Sequence, residues 1–177
     1  MKFTTHQHFL CAIFIAFLWI SAMNSSSNGQ NYAPIRTQLR NLTGSCLDAS
    51  GGQFGASPYM RPCNVSQTTN PNLIWNYLVG DNGINLIQST VSGFCLDANT
   101  GELGRVPYLR ECNASNVNLQ WRLIQLPNGP SDYRQLRSAV NGACLDANTG
   151  ALGSQPYMRP CDDGSNANLR WRLVGNP

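Results

Sequence analysis

Large apolar residues and polar residues alternate in short runs along most of the chain, and the runs are separated by Gly, Asn, Asp and Pro. Leu73, Trp75 and Tyr77 alternate with Asn72, Ile74 and Asn76. The same parity gives Leu119, Trp121 and Leu123, then Leu169, Trp171 and Leu173. A period of two places one set of side chains on one face of a strand, so Trp75, Trp121 and Trp171 are predicted to lie in the core. Other segments, such as IRTQLRN and PYMRPC, are β-prone and end at turn residues. No segment sustains a helical period. The pattern predicts an all-β protein of short strands.

The pattern is also repeated. CLDASGGQFGASPYMRPC at residues 46–63 recurs as CLDANTGELGRVPYLREC at 95–112 and as CLDANTGALGSQPYMRPC at 144–161. The first cysteines step by 49 residues and then by 49 again. Each block is followed by Asn-Leu-x-Trp: NLIW at 72–75, NLQW at 118–121, NLRW at 168–171. Three copies of one short-stranded unit point to a closed pseudo-three-fold structure. A propeller needs more blades, and an open solenoid needs atypical end units, whereas here the last copy matches the others.

The first residues read differently. Lys2 precedes a twelve-residue apolar run at 9–20, followed by the small residues Ser21 and Ala22. That order is the one of a secretory signal peptide, expected over residues 1–22, and the run falls short of the roughly 18–20 residues of a membrane span. Residues 23–33 read as a flexible leader, and residues 34–177 as the folded domain. Without the first 22 residues the chain keeps no histidine, no lysine and six of its seven cysteines. Eleven arginines then face nine acids, a formal charge of +2. The arginines are dispersed, so the clustered cations of a nucleic-acid site are missing.

Six cysteines in a secreted chain imply disulfides, and six allow fifteen connectivities. Three copies of one local structure should form the same bond three times, which predicts Cys46–Cys63, Cys95–Cys112 and Cys144–Cys161. Each would close a loop of about 17 residues and contribute roughly 3 kcal/mol in a chain-entropy account. Metal binding is disfavoured by the absence of histidine and of C-x-x-C spacing in the mature chain; neither a metal nor a cofactor is expected. Asn24, Asn41, Asn64 and Asn113 open N-x-Ser/Thr sequons and are candidate glycosylation sites.

The repeat resembles the ricin B-type lectin family, in which each repeat carries Cys-x-Asp, a second cysteine and Gln-x-Trp. The resemblance spans roughly residues 34–174. It implies a β-trefoil of three four-stranded repeats, and glycan binding at up to one shallow site per repeat. On the family pattern Asp48, Asp97 and Asp146 accept hydrogen bonds from sugar hydroxyls, and Asn72, Asn118 and Asn168 contact the same sugar. A carboxylate can take two hydroxyls at once, and an amide offers donor and acceptor. The alternative is that these groups only tie down turns, as Asp and Asn commonly do.

Two departures alter the implied site. The glutamine of Gln-x-Trp is Leu73, Leu119 or Leu169. The stacking aromatic two residues before the second cysteine is Arg61, Arg110 or Arg159, and tyrosine stands two residues earlier, at Tyr59, Tyr108 and Tyr157. Strand alternation puts each Tyr and Arg on one face and Met60, Leu109 and Met158 on the other. The tyrosine ring could pack on a sugar's C–H face, with the guanidinium donating to hydroxyls or to an acidic glycan. The alternative is that each arginine pairs with its own aspartate. The loop between paired cysteines is also shorter than is usual in the family.

Glycans or glycoproteins are thus the expected partners, with neither nucleic acid nor a membrane span. Catalysis is not expected: without histidine there is no Ser-His-Asp or Cys-His chemistry, and aspartates related by a three-fold stand too far apart to act as a glycosidase pair. A competing reading is a protein-binding trefoil, such as a protease inhibitor or a toxin's targeting subunit, acting through the divergent segments 67–71 or 126–132.

Overall fold

The computed structural model describes residues 33–63, 70–127 and 130–175. The expected signal segment, the leader up to residue 32, the sequons at Asn24 and Asn64 and parts of both divergent segments lie outside the described residues. Chain order among the described residues gives strands β1 (Ala33–Asn41), β2 (Ser45–Asp48), β3 (Tyr59–Pro62) and β4 (Trp75–Val79). The second repeat supplies β5 (Asn85–Ser89), β6 (Cys95–Asp97), β7 (Tyr108–Arg110) and β8 (Trp121–Gln125). The third supplies β9 (Arg134–Ser138), β10 (Cys144–Asp146), β11 (Tyr157–Arg159) and β12 (Trp171–Gly175).

All pairings are antiparallel. β1 pairs with β4, β4 with β5, β5 with β8, β8 with β9, β9 with β12, and β12 returns to β1. Six strands therefore close a barrel, which removes the exposed edges a short-stranded sheet would otherwise carry. The other six form three hairpins, β2–β3, β6–β7 and β10–β11. Each hairpin hangs from a barrel strand at one register pair: Arg40↔Cys46, Gln88↔Cys95, Arg137↔Cys144. A six-stranded barrel capped by three hairpins is a β-trefoil.

The core follows the repeat. Leu39, Ile87 and Leu136 come from barrel strands, and Leu47, Leu96 and Leu145 from the first hairpin strands. Met60, Leu109 and Met158 come from the second hairpin strands, and Trp75, Trp121 and Trp171 complete the set, all 1% exposed or less. A buried indole needs a partner for its N–H. Each tryptophan Nε1 donates to the leucine carbonyl of its own hairpin, Leu47, Leu96 or Leu145, at 2.8–2.9 Å. The tryptophan thereby fixes hairpin to barrel as well as filling space. The three disulfides join Cys46 to Cys63, Cys95 to Cys112 and Cys144 to Cys161, across each hairpin.

One part of the alternation is realised differently. Leu73, Leu119 and Leu169 do not sit in strands; each ends a short 3-10 turn (Pro71–Leu73, Val117–Leu119, Ala167–Leu169), and the strand begins at the tryptophan. The turn redirects the leucine, so Leu119 packs with Leu86 and Cys95 outside the main core. Ile74, polar-faced by parity, is buried as well; it follows the 3-10 turn, and its carbonyl accepts from Thr90 N–H at 3.2 Å.

The hairpins lock to one another in a ring. Gly55 N–H donates to Leu109 O and Leu109 N–H to Ala56 O; Gly104 and Met158 repeat the exchange with Met158 O and Arg105 O; Gly153 and Met60 close it with Met60 O and Ser154 O, all at 2.7–2.9 Å. The loop after each Cys-Leu-Asp-Ala also packs on the next repeat. Gly101 has φ +69°, and a Cβ there would stand 2.5 Å from Asn141 Oδ1. Only glycine gives both the left-handed backbone and the close approach.

Asn41 is buried, and its amide nitrogen donates to Asn168 O at 2.9 Å and Arg170 O at 3.0 Å. Both amide hydrogens are engaged across the β1–β12 closure, so a glycan on Asn41 is incompatible with this fold. Asn113 is exposed, its Oδ1 accepting from Ser115 N–H in a surface turn, and keeps its place as a candidate glycosylation site.

Candidate functional site

Register decides which predicted residues meet. In hairpin β2–β3 Asp48 stands directly opposite Tyr59 and Cys46 opposite Arg61; Asp97–Tyr108 and Asp146–Tyr157 repeat the pairing. Met60, Leu109 and Met158 turn inward, and the flanking Tyr and Arg turn toward the surface. Each repeat thus gathers one aspartate, one tyrosine and one arginine at the rim of its hairpin.

The aspartates themselves are fully buried. One carboxylate oxygen accepts the backbone N–H two residues on: Ser50 at 2.8 Å, Asn99 at 2.6 Å, Asn148 at 2.7 Å. The other oxygen faces the arginine of the same repeat: Asp48–Arg61 at 3.6 Å, Asp97–Arg110 at 3.2 Å, Asp146–Arg159 at 3.4 Å. The arginine side chains remain 36–50% exposed. Charge-assisted contact of this kind orients a planar guanidinium. The hydrogen bond to Asp97, followed by the field of Tyr108, pushes the Arg110 guanidinium above its ordinary range. The guanidinium also touches the tyrosine. Arg110 and Arg159 donate to Tyr108 and Tyr157 Oη at 3.4 Å, and Arg61 lies 5.0 Å over the Tyr59 ring, within cation–π range.

Asn72, Asn118 and Asn168 join these clusters through the backbone. Their carbonyls accept from Ala49, Ala98 and Ala147 N–H, the residues after the aspartates, at 2.8–3.0 Å. Among the described residues, the buried Asn72 Oδ1 has no hydrogen-bond donor. The asparagine two residues earlier does the capping: Asn70, Asn116 and Asn166 accept from the N–H of Asn72, Asn118 and Asn168 at 3.0–3.1 Å. Asn70 also donates to Asp48 Oδ2 at 3.2 Å. These three residues were not among the predicted set, although Asn-x-Asn-Leu recurs before each tryptophan and is the legible signal for them.

Tyr59 and Tyr157, from the first and third repeats, line one open depression of about 560 Å³ where the hairpins meet; Tyr108 does not line it. Among the described residues no group of His, Cys, Asp and Glu is arranged to hold a metal ion, and no helix is long and apolar enough to cross a membrane.

A family model, the ricin-type beta-trefoil lectin domain, matches residues 35–171. The chain belongs to the ricin-type β-trefoil lectin family. Solved structures of the same fold superpose on it at low identity. A designed three-fold symmetric protein, ThreeFoil, is 22% identical, with 80% of this chain and 99% of that one covered at a TM-score of 0.68. The hemolytic lectin CEL-III is 24% identical over 82% of this chain and 32% of its own, at 0.62. SeviL, solved bound to asialo-GM1 saccharide, is 16% identical over 81% and 98%, at 0.60. No curated protein sequence matches the chain. Against the ricin-type pattern, the tyrosine and arginine of each repeat occupy the rim where the family's stacking aromatic is expected, and the aspartate lies beneath them.

Proposed function

We propose that the chain is a secreted lectin with up to three glycan sites, one per repeat, and that it is not an enzyme. The observation that carries the reading is the thrice-repeated cluster of a buried aspartate holding a half-exposed arginine beside a part-exposed tyrosine. In each copy the tyrosine ring packs on the C–H face of a sugar and the outward N–H groups of the arginine donate to its hydroxyls. The aspartate keeps the guanidinium aimed, and accepts a hydroxyl directly when the arginine yields its oxygen. Asn72, Asn118 and Asn168 border the same sites. Because each guanidinium charge is offset by its own carboxylate, neutral hydroxyl-rich glycans fit better than the acidic glycans that arginine by itself suggests. Three weak sites on one rigid body raise retention on a multivalent surface without any new contact. Three disulfides and the N-terminal apolar run support secretion.

The test is retention of the purified protein on an immobilised glycan array, competed by free sugar. Replacing Tyr59, Tyr108 and Tyr157 together by alanine should remove retention while leaving the melting temperature within a few degrees. Unchanged retention in that variant overturns the reading.

A second reading, a trefoil that docks on a protein partner, has one observation in its favour. Phe54, Leu103 and Leu152 occupy equivalent positions in the three repeats and are 61–64% exposed. A partner captured equally well by the triple tyrosine variant would favour it.

A further inference from the structure

The depression between the hairpins differs in chemistry from the three per-repeat clusters. In those clusters the aspartate oxygens are already engaged by backbone N–H and arginine. In the depression, Ser50, Ser57, Asn148 and Gln155 contribute hydroxyl and amide side chains to the lining. Tyr59 and Tyr157 supply two aromatic side chains, and neither a carboxylate nor a guanidinium lines it. Its volume of about 560 Å³ falls within the range of about 300–1,000 Å³ typical of small-molecule sites.

Its asymmetry has a cause in the sequence. The position of Ser50 in the first repeat is Asn99 in the second and Asn148 in the third. Asn99 Nδ2 donates to Val106 O at 3.0 Å and closes the second repeat's sector. Serine is too short to make that bond, and the Asn148 amide does not make it. The position of Ser57 and Gln155 is Val106 in the second repeat. Polar groups therefore come from the first and third repeats, with Val106 as an apolar wall. The backbone ring that joins the hairpins fixes these walls relative to one another.

We propose that this depression is a fourth binding site, formed jointly by the repeats, which takes one uncharged mono- or disaccharide per chain. Two aromatic rings suit the apolar faces of a sugar ring, and hydroxyls and primary amides suit its hydroxyls without selecting charge. The site rests on the reading of the chain as a glycan-binding protein, but it predicts a different stoichiometry and a different set of perturbed residues.

The test is a titration of the isotope-labelled, purified full-length protein with four neutral disaccharides, lactose, cellobiose, maltose and chitobiose, followed by backbone amide NMR. At least one should shift the amides of Gly104, Val106, Gly153 and Gln155 along a single saturable curve. Val106→Trp, which fills the depression, should weaken that binding at least tenfold. Gln155→Trp, at an exposed position, should do the same and serves if Val106→Trp does not fold. The site is overturned if no disaccharide shifts these four amides, or if both variants bind as the parent does. Glycan-array retention by the parent protein with no disaccharide shift at these four amides would leave the per-repeat sites standing while removing this one; absence of both would remove both.

Discussion

Arg110 Nη1 lies 3.2 Å from Asp97 Oδ2, an ion pair between a carboxylate sealed from solvent and a guanidinium at its surface. The aspartate's other oxygen accepts Asn99 N–H at 2.6 Å, so a single side chain holds both the loop that follows it and the arginine across the hairpin. Asp97→Ala should therefore destabilise the protein by about 1–3 kcal/mol, because a backbone donor loses its acceptor and the arginine its partner. Asp97→Asn keeps an oxygen for Asn99 and should cost about 1 kcal/mol. Urea denaturation of the two variants checks the order; equal losses would contradict it.

Gly101→Ala places a methyl group 2.5 Å from Asn141 Oδ1 on a residue at φ +69°. Left-handed backbone alone costs a non-glycine residue about 1–2 kcal/mol, and the contact adds to it. A loss of about 2 kcal/mol or more is expected from chemical denaturation. Gly104→Ala, at φ +83° with open space around the site, should lose only the backbone part.

Tyr77, in the middle of β4, packs in the main core, and among the described residues its buried hydroxyl has no hydrogen-bond partner. Burial pushes its phenol above the ordinary tyrosine range, so it should stay protonated through an alkaline titration that ionises exposed tyrosines. Tyr77→Phe removes the unpaired polar atom and should raise stability by about 1 kcal/mol. A measured loss would mean that the hydroxyl has a partner in solution.

Asp162 shows a pH effect of defined sign. Burial by itself would raise its carboxyl, but Gly164 and Asn166 N–H, Ser165 Oγ and Gln135 Nε2 together hold it below the usual range. A carboxyl depressed in the folded state stabilises the fold above its unfolded pKa, near 3.9, and that contribution fades as pH falls through the folded value. Asp162→Ala should lose stability by a constant amount above about pH 5 and converge on the parent in more acidic solution. Thermal melts across that range give the comparison.

Much of the fold was legible because it is local and repeated. Trp75, Trp121 and Trp171 were assigned to the core from parity, and Met60, Leu109 and Met158 from their place between Tyr and Arg; all six are buried. The cysteine spacing selected the three disulfides the structure contains. Leu73 was read as a strand residue because its parity matches Trp75, and a 3-10 turn capped by Asn70 took it elsewhere. The capping asparagines Asn70, Asn116 and Asn166 are not legible from periodicity, because a side chain bonded to a nearby backbone N–H carries no periodic signal.

By itself the sequence determined the repeat, the β architecture, the hairpin disulfides and the family, since each depends on residue types at short, recurring spacing. Only the tertiary structure decided what the polar residues do. It engaged Asn41 across the barrel seam, because β1 and β12 meet only when the chain closes. It committed Asp48, Asp97 and Asp146 to their own loops and arginines, because burial forces a carboxylate to find every available donor. It also brought Tyr59 and Tyr157, 98 residues apart, to one depression, because three hairpins joined by a ring of backbone hydrogen bonds share a centre that no single repeat encodes.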